Sequence, residues 1–335
     1  MAGTTGVDFS GLPARLQSYS TRDSETLLSQ ILITNQSFLT YMGLLVDVQD
    51  EQALTQMFVD SVLQPGNKDT FTPKGAVKFK NRIGKVRSCK IDFKLTPKQI
   101  TSMWKGYLGR IAKSKRGEVY DVPFQQYIMD MIAAKGKEEM HLEAVFKGVY
   151  REDSNQANRV FDGILPLLSD AGIVPAGNIF DGDVVTQANA IDQLEGLADK
   201  VPSHLVNTNL VLLCEPTVAK FYNRDYRATF GTNTNNTGGF EHTTLDGTNI
   251  RIVAEPGLAS TGGMMITPQE NLVWLTGQLS KQDSFTVEKA ERVVKIMADF
   301  EASADLSIAE YVWTTDLTLA KGVALRAAAA AEPAE

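Results

Sequence analysis

The spacing of apolar residues along the chain predicts both helices and strands. Apolar positions within 27–32 recur at helical intervals directly after the capping pair Asp23-Ser24, which predicts a first helix. The preceding residues 1–22 are mostly small and polar, so they predict a flexible N-terminal arm. A short strand is predicted at 43–49.

A pattern with one apolar face and one basic face occupies 77–80 and appears again at 90–95. Alternation with a period of two is typical of strands, and the intervening residues 81–84 suit a turn or twist. The two segments are therefore predicted to pair with each other as a two-stranded ribbon. Because such a ribbon is only marginally stable alone in water, its apolar face is expected to need a partner surface.

Two helices are predicted after the ribbon. Thr96-Pro97-Lys98-Gln99 offers a Thr N-cap, a Pro at the first helical position and a Gln three residues after the cap, so a helix is expected to begin here. A linker at 113–121 is followed by a long helix from Phe124 to Phe146. It would span about 25 residues, or ~37 Å.

The second part of the chain contains shorter elements that indicate a compact α+β arrangement. Helices are predicted at 160–168, 191–201 and 218–226, strands at 209–214, 250–253, 264–267 and 271–274, and loops at 172–183 and 232–239. Strands are then predicted at 285–288, 293–300, 304–313 and from 316 onward, before an Ala-rich tail at 327–335.

Composition is that of a globular protein, with 43% hydrophobic and 22% charged residues among 335. The net charge of −7 argues against sequence-independent binding to duplex DNA. Ten basic and two acidic residues between Lys68 and Lys98 give that segment a charge of +8, which leaves −15 (−7 minus 8) for the remainder. A chain with its charge separated in this way can attract another copy of itself.

Seven basic residues of the predicted ribbon are candidate contacts with a neighbouring copy: Lys78, Lys80, Arg82, Lys85, Arg87, Lys90 and Lys94. Acidic residues at 47–51 and 299–310 are their candidate partners. Binding of single-stranded nucleic acid would favour aromatic residues on the same face as the bases, whereas Phe79 and Phe93 fall in the opposite register. A solvated face without a specific partner and a nucleic-acid surface both stay open as alternatives.

Signatures of catalysis are missing from the sequence. The three histidines and two cysteines lack the spacing of metal or redox sites: His141, His204, His242, Cys89 and Cys214. Nucleophile-elbow, phosphate-loop and dinucleotide motifs are also missing. Neither a signal peptide within 1–10 nor an apolar run of roughly 18 residues is found. We therefore expect no catalytic residues, no cofactor, no metal and no membrane association, and synthesis in a cytoplasm.

The order of these elements, together with several short phrases, resembles the major capsid proteins of tailed bacteriophages with the Hong Kong 97-type fold. The phrases are Leu63-Gln-Pro65, Phe71-Thr-Pro73-Lys74-Gly75, Lys90-Ile-Asp92, Leu95-Thr-Pro97, Tyr120-Asp-Val-Pro123-Phe124, Ile128-Met129 and Lys137-Glu-Glu139. The resemblance implies an α+β fold with an N-arm, an extended E-loop, a peripheral domain with a long spine helix, and an axial domain.

The resemblance also implies how the chain is divided. The segments would be an N-terminal arm and first helix (1–60), an E-loop β-ribbon (61–98), a peripheral domain with the spine helix (99–159), an axial domain (160–280), peripheral-domain return strands (281–320) and a flexible tail (321–335).

The implied function is structural: hexamers and pentamers of this chain would form an icosahedral virion shell around double-stranded DNA. Implied partners are the chain itself, portal and scaffolding proteins, and decoration proteins, with packaged DNA adjacent but not bound in a sequence-specific way. An encapsulin-like nanocompartment shell is an alternative on the same fold. A soluble enzyme built from carboxylates such as Asp181 and Glu215 is an alternative from another class.

Overall fold

A computed structural model describes residues 11–66, 73–113, 124–170, 172–230, 244–279, 285–290 and 293–315. Of the side chains at Gln56, Lys80 and 108–113 nothing is described. The helices are α1 (Leu12–Arg22), α2 (Ser24–Leu32), α3 (Pro97–Lys113), α4 (Phe124–Glu139), α5 (Ile164–Ser169), α6 (Ala190–Ala198) and α7 (Pro216–Phe230). The strands are β1 (Met42–Leu45), β2 (Glu51–Val59), β3 (Val77–Lys85), β4 (Arg87–Leu95), β5 (Ile179–Phe180), β6 (Leu210–Cys214), β7 (Arg251–Ala254), β8 (Met264–Pro268), β9 (Leu272–Thr276), β10 (Phe285–Ala290), β11 (Val293–Leu306) and β12 (Trp313–Thr315).

The N-terminal segment is more ordered than its composition suggests. Helix α1 covers most of the predicted flexible arm, so that prediction is wrong for 12–22, while 1–10 lie outside the described residues. Leu12 and Leu16, one turn apart, are both buried, which explains why a polar-looking segment folds as a helix. The predicted helix at 27–32 is confirmed by α2. Strand β1 ends at Leu45, earlier than predicted, because the chain turns through the left-handed region at Asp47 and Asp50.

Helices α3 and α4 follow the predicted pattern closely. The backbone N–H of Thr96 donates to Gln99 Oε1 at 2.8 Å, and the N–H of Gln99 donates to Thr96 Oγ1 at 3.4 Å, so the capping box is confirmed. The long helix is confirmed as α4, which continues into a π-helical turn at Met140–Ala144. Of the predicted linker, Lys113 ends α3 and 114–121 lie outside the described residues.

Two five-stranded sheets organise the fold. In the first, β11 lies between β4 on one side and β9 and β10 on the other, and β1 extends the sheet beside β9. The largest apolar cluster lies between this sheet and helices α1, α2 and α4, with Trp274 at its centre. The second sheet has the order β5-β12-β8-β6-β7 and packs against α6 and α7.

Several predictions for the second part are confirmed and others corrected. The strand at 209–214 and the helix at 218–226 are confirmed as β6 and α7. The separate strand predicted at 304–313 is wrong, because β11 runs to Leu306 and a 3₁₀ turn occupies Ala309–Tyr311. The loop predicted at 232–239 and the strand from 316 lie outside the described residues.

Candidate subunit-contact surface

A two-stranded ribbon is present, but only one of its strands, β3, is an arm of the predicted ribbon. Strand β3 pairs with β2 in an antiparallel hairpin, from Glu51 opposite Lys85 to Val59 opposite Val77. Strand β4 pairs instead with β11 inside the first sheet. The predicted pairing of 77–80 with 90–95 is therefore wrong. The alternation of apolar and polar residues in 87–95 fits a strand of a sheet with one buried face as well as it fits an arm of a ribbon. Strand β2, the actual partner of β3, was not predicted.

The hairpin (Glu51–Lys85) has one apolar face that its own chain leaves exposed. Residues directly opposite in an antiparallel pair share a face. On this face Met57 lies opposite Phe79, and Ala53 lies opposite Ile83. Phe79 is 66% exposed and Met57 is 61% exposed. The polar pair of Thr55 and Asn81 lies between these two apolar pairs, so the exposed apolar patch is concentrated toward the tip, around Met57 and Phe79. An exposed apolar patch on a strand pair is a candidate surface for binding another molecule.

The described part of the hairpin tip also exposes apolar side chains. Leu63 is 86% exposed and Val62 is 60% exposed. The N–H of Asp60 donates to the carbonyl of Ala76 at 3.0 Å, which extends the ladder one step beyond the strands. Lys74 Nζ donates to the carbonyl of Leu63 and holds the two sides of the tip together. These two hydrogen bonds thus hold the backbone that carries the exposed apolar side chains.

The base of the hairpin is anchored to the first sheet by an ion pair. Arg82 Nε lies 2.6 Å from Asp305 Oδ1, which also accepts the backbone N–H of Leu306 at 2.7 Å. The Asp305 side chain is only 9% exposed, and burial raises its pKa, although the Arg82 guanidinium opposes that shift. At Gly84 the backbone of β3 also comes close to the first sheet, because a Cβ there would lie 2.8 Å from Leu275 Cδ1.

A cleft separates the hairpin base from β1, the edge strand of the first sheet. Its volume is about 960 Å³, and Leu44, Leu45, Leu54, Met57 and Ile308 are among the side chains that line it. Residues of both β1 and β2 line this cleft, so the described residues of the chain leave the space between the hairpin base and the edge strand open.

The seven candidate basic residues do not form one surface. Lys78, Lys80 and Arg82 alternate along β3 on the face opposite Phe79. Lys85 is at the hairpin base on the apolar side and pairs there with Glu51. Lys78 Nζ lies 3.0 Å from Asp60 Oδ2, whereas the Lys80 side chain lies outside the described part of the structure. Several of these basic side chains therefore already form ion pairs with acidic side chains of the same chain.

The other three bases lie on β4 in the first sheet. The Arg87 guanidinium carbon lies 4.3 Å from the centroid of the Tyr150 ring, in a cation–π contact. Lys90 Nζ lies 3.0 Å from Asp92 Oδ2. Lys94 is directly opposite Lys295 across the β4–β11 ladder, an arrangement of like charges that is mildly destabilising. The strand pairing thus separates these three bases from the hairpin.

The side chains considered for catalysis do not form a common site in the described part of the structure. Glu215 Oε2 accepts the backbone N–H of Gly262 at 2.8 Å, and Asp181 is exposed. Cys89 and Cys214 are buried, and burial raises the pKa of each thiol to about 12. Among the described residues, no three His, Cys, Asp or Glu side chains are grouped so that they could hold a metal ion. No helix in the described ranges is long and apolar enough to cross a membrane.

The apolar face of the hairpin is the functional feature that the sequence analysis missed in part. It contains Met57 and Val59 from β2, which was not predicted as a strand. The signal was weak, because Ala53, Met57 and Val59 lie in one register while the apolar residues Leu54 and Phe58 lie in the other.

Comparison with solved structures identifies the fold. A chain of the satellite phage P4 procapsid, in a structure that includes the size determination (Sid) protein, matches with a TM-score of 0.54 and 14% identity, covering 89% of this chain and 90% of that chain. A chain from the capsid of an empty GTA particle matches with a TM-score of 0.51 and 9% identity over 85% of this chain and 97% of that chain. The holo-SrpI encapsulin complex of Synechococcus elongatus gives 0.46 and 11% identity, with coverages of 85% and 88%.

No protein-family model and no curated protein matches the sequence. At these identities the likeness concerns the fold. The predicted α+β fold, of the Hong Kong 97 type seen in tailed-phage capsid proteins, is confirmed.

Proposed function

We propose that this chain is the major capsid protein of a tailed bacteriophage, a structural subunit and not an enzyme. Copies would assemble into hexamers and pentamers of an icosahedral shell that encloses double-stranded DNA. The observation that carries the proposal is the match to the P4 procapsid chain over nine-tenths of both chains, at a TM-score of 0.54. The exposed apolar hairpin supports it, because a subunit that is completed by its neighbours must carry such a face.

The division of labour within the subunit is part of this proposal. The hairpin takes the place of the E-loop predicted at 61–98, with two corrections: β2 and β3 form its arms, so that it begins before 61, and β4 belongs to the first sheet. The peripheral domain combines 99–159, which contains the spine helix α4, with the return strands of 281–320. The axial domain is 160–280, from which β9 is contributed to the first sheet. Of the segment predicted as 1–60, residues 1–50 are the N-terminal arm and first helix, since β2 belongs to the hairpin, and 321–335 are a C-terminal tail.

The hairpin would dock on a neighbouring copy mainly through its apolar face. Full burial of a large apolar side chain contributes roughly 1.5–3 kcal/mol, whereas an exposed ion pair contributes about 0–1 kcal/mol. Phe79 and Met57 would therefore supply most of the binding free energy. Lys78, Lys80 and Arg82 on the opposite face, and Lys85, Arg87, Lys90 and Lys94 elsewhere, would set orientation and register.

The further partners follow from the shell role. Portal and scaffolding proteins would be needed to start and size the shell, and decoration proteins could bind its outside. Packaged DNA would lie against the inner surface without sequence-specific contacts, consistent with the net charge of −7. The subunit would be made in the host cytoplasm and end in the virion capsid.

Expression of the chain alone and with its neighbouring genes tests the proposal, with negative-stain electron microscopy and analytical ultracentrifugation as readouts. We expect capsomers or closed shells. A discrete monomer of 36.7 kDa under all these conditions would contradict the shell role and favour a soluble enzyme. Portal and terminase genes beside this one would support the virion, whereas a gene for a cargo enzyme would support an encapsulin-like compartment.

A further inference from the structure

Two helices beside the second sheet each carry a single sign of charge on the side facing away from the core. The acidic stripe consists of Asp192 and Glu195 on α6 and Asp199 at its C-cap, which also has helical backbone angles, at spacings of three and four residues. On α7 the basic stripe consists of Lys220, Arg224 and Arg227, at spacings of four and three residues. Side chains at these spacings lie on one side of a helix.

The opposite side of each helix is buried, so both stripes face solvent. Leu194 and Leu197 bury one side of α6, and Val218 and Tyr222 bury one side of α7. All three bases of α7 are exposed, as are Asp192 and Asp199, and Glu195 is half-buried.

The charges of the two stripes are not neutralised within the described part of the chain. In those residues no ion pair includes any of the six side chains. Arg227 Nε donates only to the carbonyl of Asn223, at 3.2 Å. Burial is the main cause that raises the pKa of Glu195, and the charges of Asp246, Asp192 and Asp199 raise it further.

The one acid within α7 is directed away from the basic stripe. Asp225 is buried, and its Oδ2 accepts the backbone N–H of Ile191 at 3.0 Å, at the N-terminal end of α6. This contact ties the two helices together and leaves the basic stripe without an acid of its own helix. An acidic stripe and a basic stripe are thus held in a fixed relation on the same unit.

We propose that the acidic stripe of one copy binds the basic stripe of the next copy around a ring of subunits. Complementary surfaces at two different places on one molecule generate head-to-tail contacts, which form a ring where the rotation between neighbouring copies closes and a filament where it does not. The inference rests on the proposed shell function and specifies which helices would meet within a capsomer. Ion pairs at such a rim chiefly control the rate and register of association, and salt weakens them.

A second copy fits these observations better than a polyanion does. A phosphate backbone or an anionic lipid surface would be attracted by the basic stripe, but the adjacent acidic stripe would repel it. A copy of the same chain presents both signs in the required pairing.

Charge reversal tests the inference. Lys220→Glu/Arg224→Glu/Arg227→Glu makes both stripes acidic, and Asp192→Lys/Glu195→Lys/Asp199→Lys makes both basic. We expect each variant to stay folded by circular dichroism and to lower the assembled fraction in sedimentation about tenfold at low salt. Lys220→Arg/Arg224→Lys/Arg227→Lys, which keeps the sign of every charge, should assemble like the parent chain.

Restoration experiments decide the outcome. The chain that carries both reversals again has complementary stripes and should regain assembly. An equimolar mixture of the two single-stripe variants should form rings with an even number of alternating copies. If the parent chain assembles and neither restoration occurs, the stripe pairing is wrong while the shell function stands. If the basic stripe instead binds duplex DNA or anionic vesicles and its reversal leaves assembly intact, the occupant was misassigned.

Discussion

At the scale of single residues, the most unusual feature is a buried carboxylate that joins three distant segments. Glu255, 1% exposed, accepts the Tyr41 hydroxyl, contacts His141 Nε2 and accepts the backbone N–H of Gly257 at 2.9 Å. Burial, followed by the charge of Glu255, raises the pKa of Tyr41 far above its ordinary value. A buried charge is tolerated only where donors surround it, so this junction fixes the π turn of the long helix against the loop after β7.

Removal of this carboxylate should destabilise the subunit strongly. Glu255→Ala leaves buried donors without an acceptor, and we expect the free energy of unfolding to fall by about 3 kcal/mol in urea denaturation. Tyr41→Phe removes one hydrogen bond to the charge and should cost about 1.5 kcal/mol. Tyr311→Phe, at an exposed tyrosine, is the matched control and should change stability little. Unchanged stability in Glu255→Ala would mean that the junction is not a structural link.

At the scale of elements, the helices were more predictable than the pairing of the strands. The cap at Thr96 and Gln99 lies within four residues of sequence, so local chemistry determines where α3 begins. Which strands pair depends on tertiary packing, which local sequence does not encode. Strand β4 has the alternating pattern of a hairpin arm, yet it pairs with β11, some 200 residues later in the chain. Helix α1 was missed because only Leu12 and Leu16 reveal its buried side in an otherwise polar segment.

The anchor between the hairpin and the first sheet should give the stability an unusual dependence on pH. Burial raises the pKa of Asp305 in the folded chain above its ordinary value of 3.8, even beside Arg82. Its contribution is therefore fully present below that ordinary value and is lost as pH rises through the raised one. We expect the stability advantage of the parent chain over Asp305→Asn to shrink as the pH rises above about 4, because the folded chain holds the Asp305 proton more tightly than the unfolded chain does.

Urea denaturation across this pH range measures the effect. Arg82→Met removes the opposing cation, so the decline with pH should be steeper in that background. Asp60→Asn is the matched control, because it removes a carboxylate that pairs with a hairpin lysine but is half-exposed. An advantage that grows with pH would show that the ion pair outweighs burial at this site.

At the scale of the whole molecule, the sequence predicted where the candidate surface lies but not that apolar side chains, rather than basic ones, are the groups left exposed there. The charge count directed attention to 68–98, and the apolar alternation there predicted a face in need of a partner. Charge counting could not reveal that Asp60, Glu51 and Asp305 of the same chain already pair with Lys78, Lys85 and Arg82. Those pairs depend on the fold, since Asp305 lies 223 positions from Arg82 in sequence. The feature without a partner surface in the described part of the single chain is therefore the exposed apolar face of the hairpin.

The two faces of the hairpin should therefore respond differently when assembly is measured. Met57→Ser/Phe79→Ser removes apolar area exposed in the free subunit, so its stability should change by less than about 0.5 kcal/mol while assembly falls at least about tenfold. Lys78→Glu alters a base that already has an in-chain acid, and it should weaken assembly by less than about threefold, mostly at low salt. Sedimentation of matched subunit concentrations across salt compares them. Should the serine variant assemble normally while Lys78→Glu does not, the basic face makes the contact and the apolar face serves another purpose.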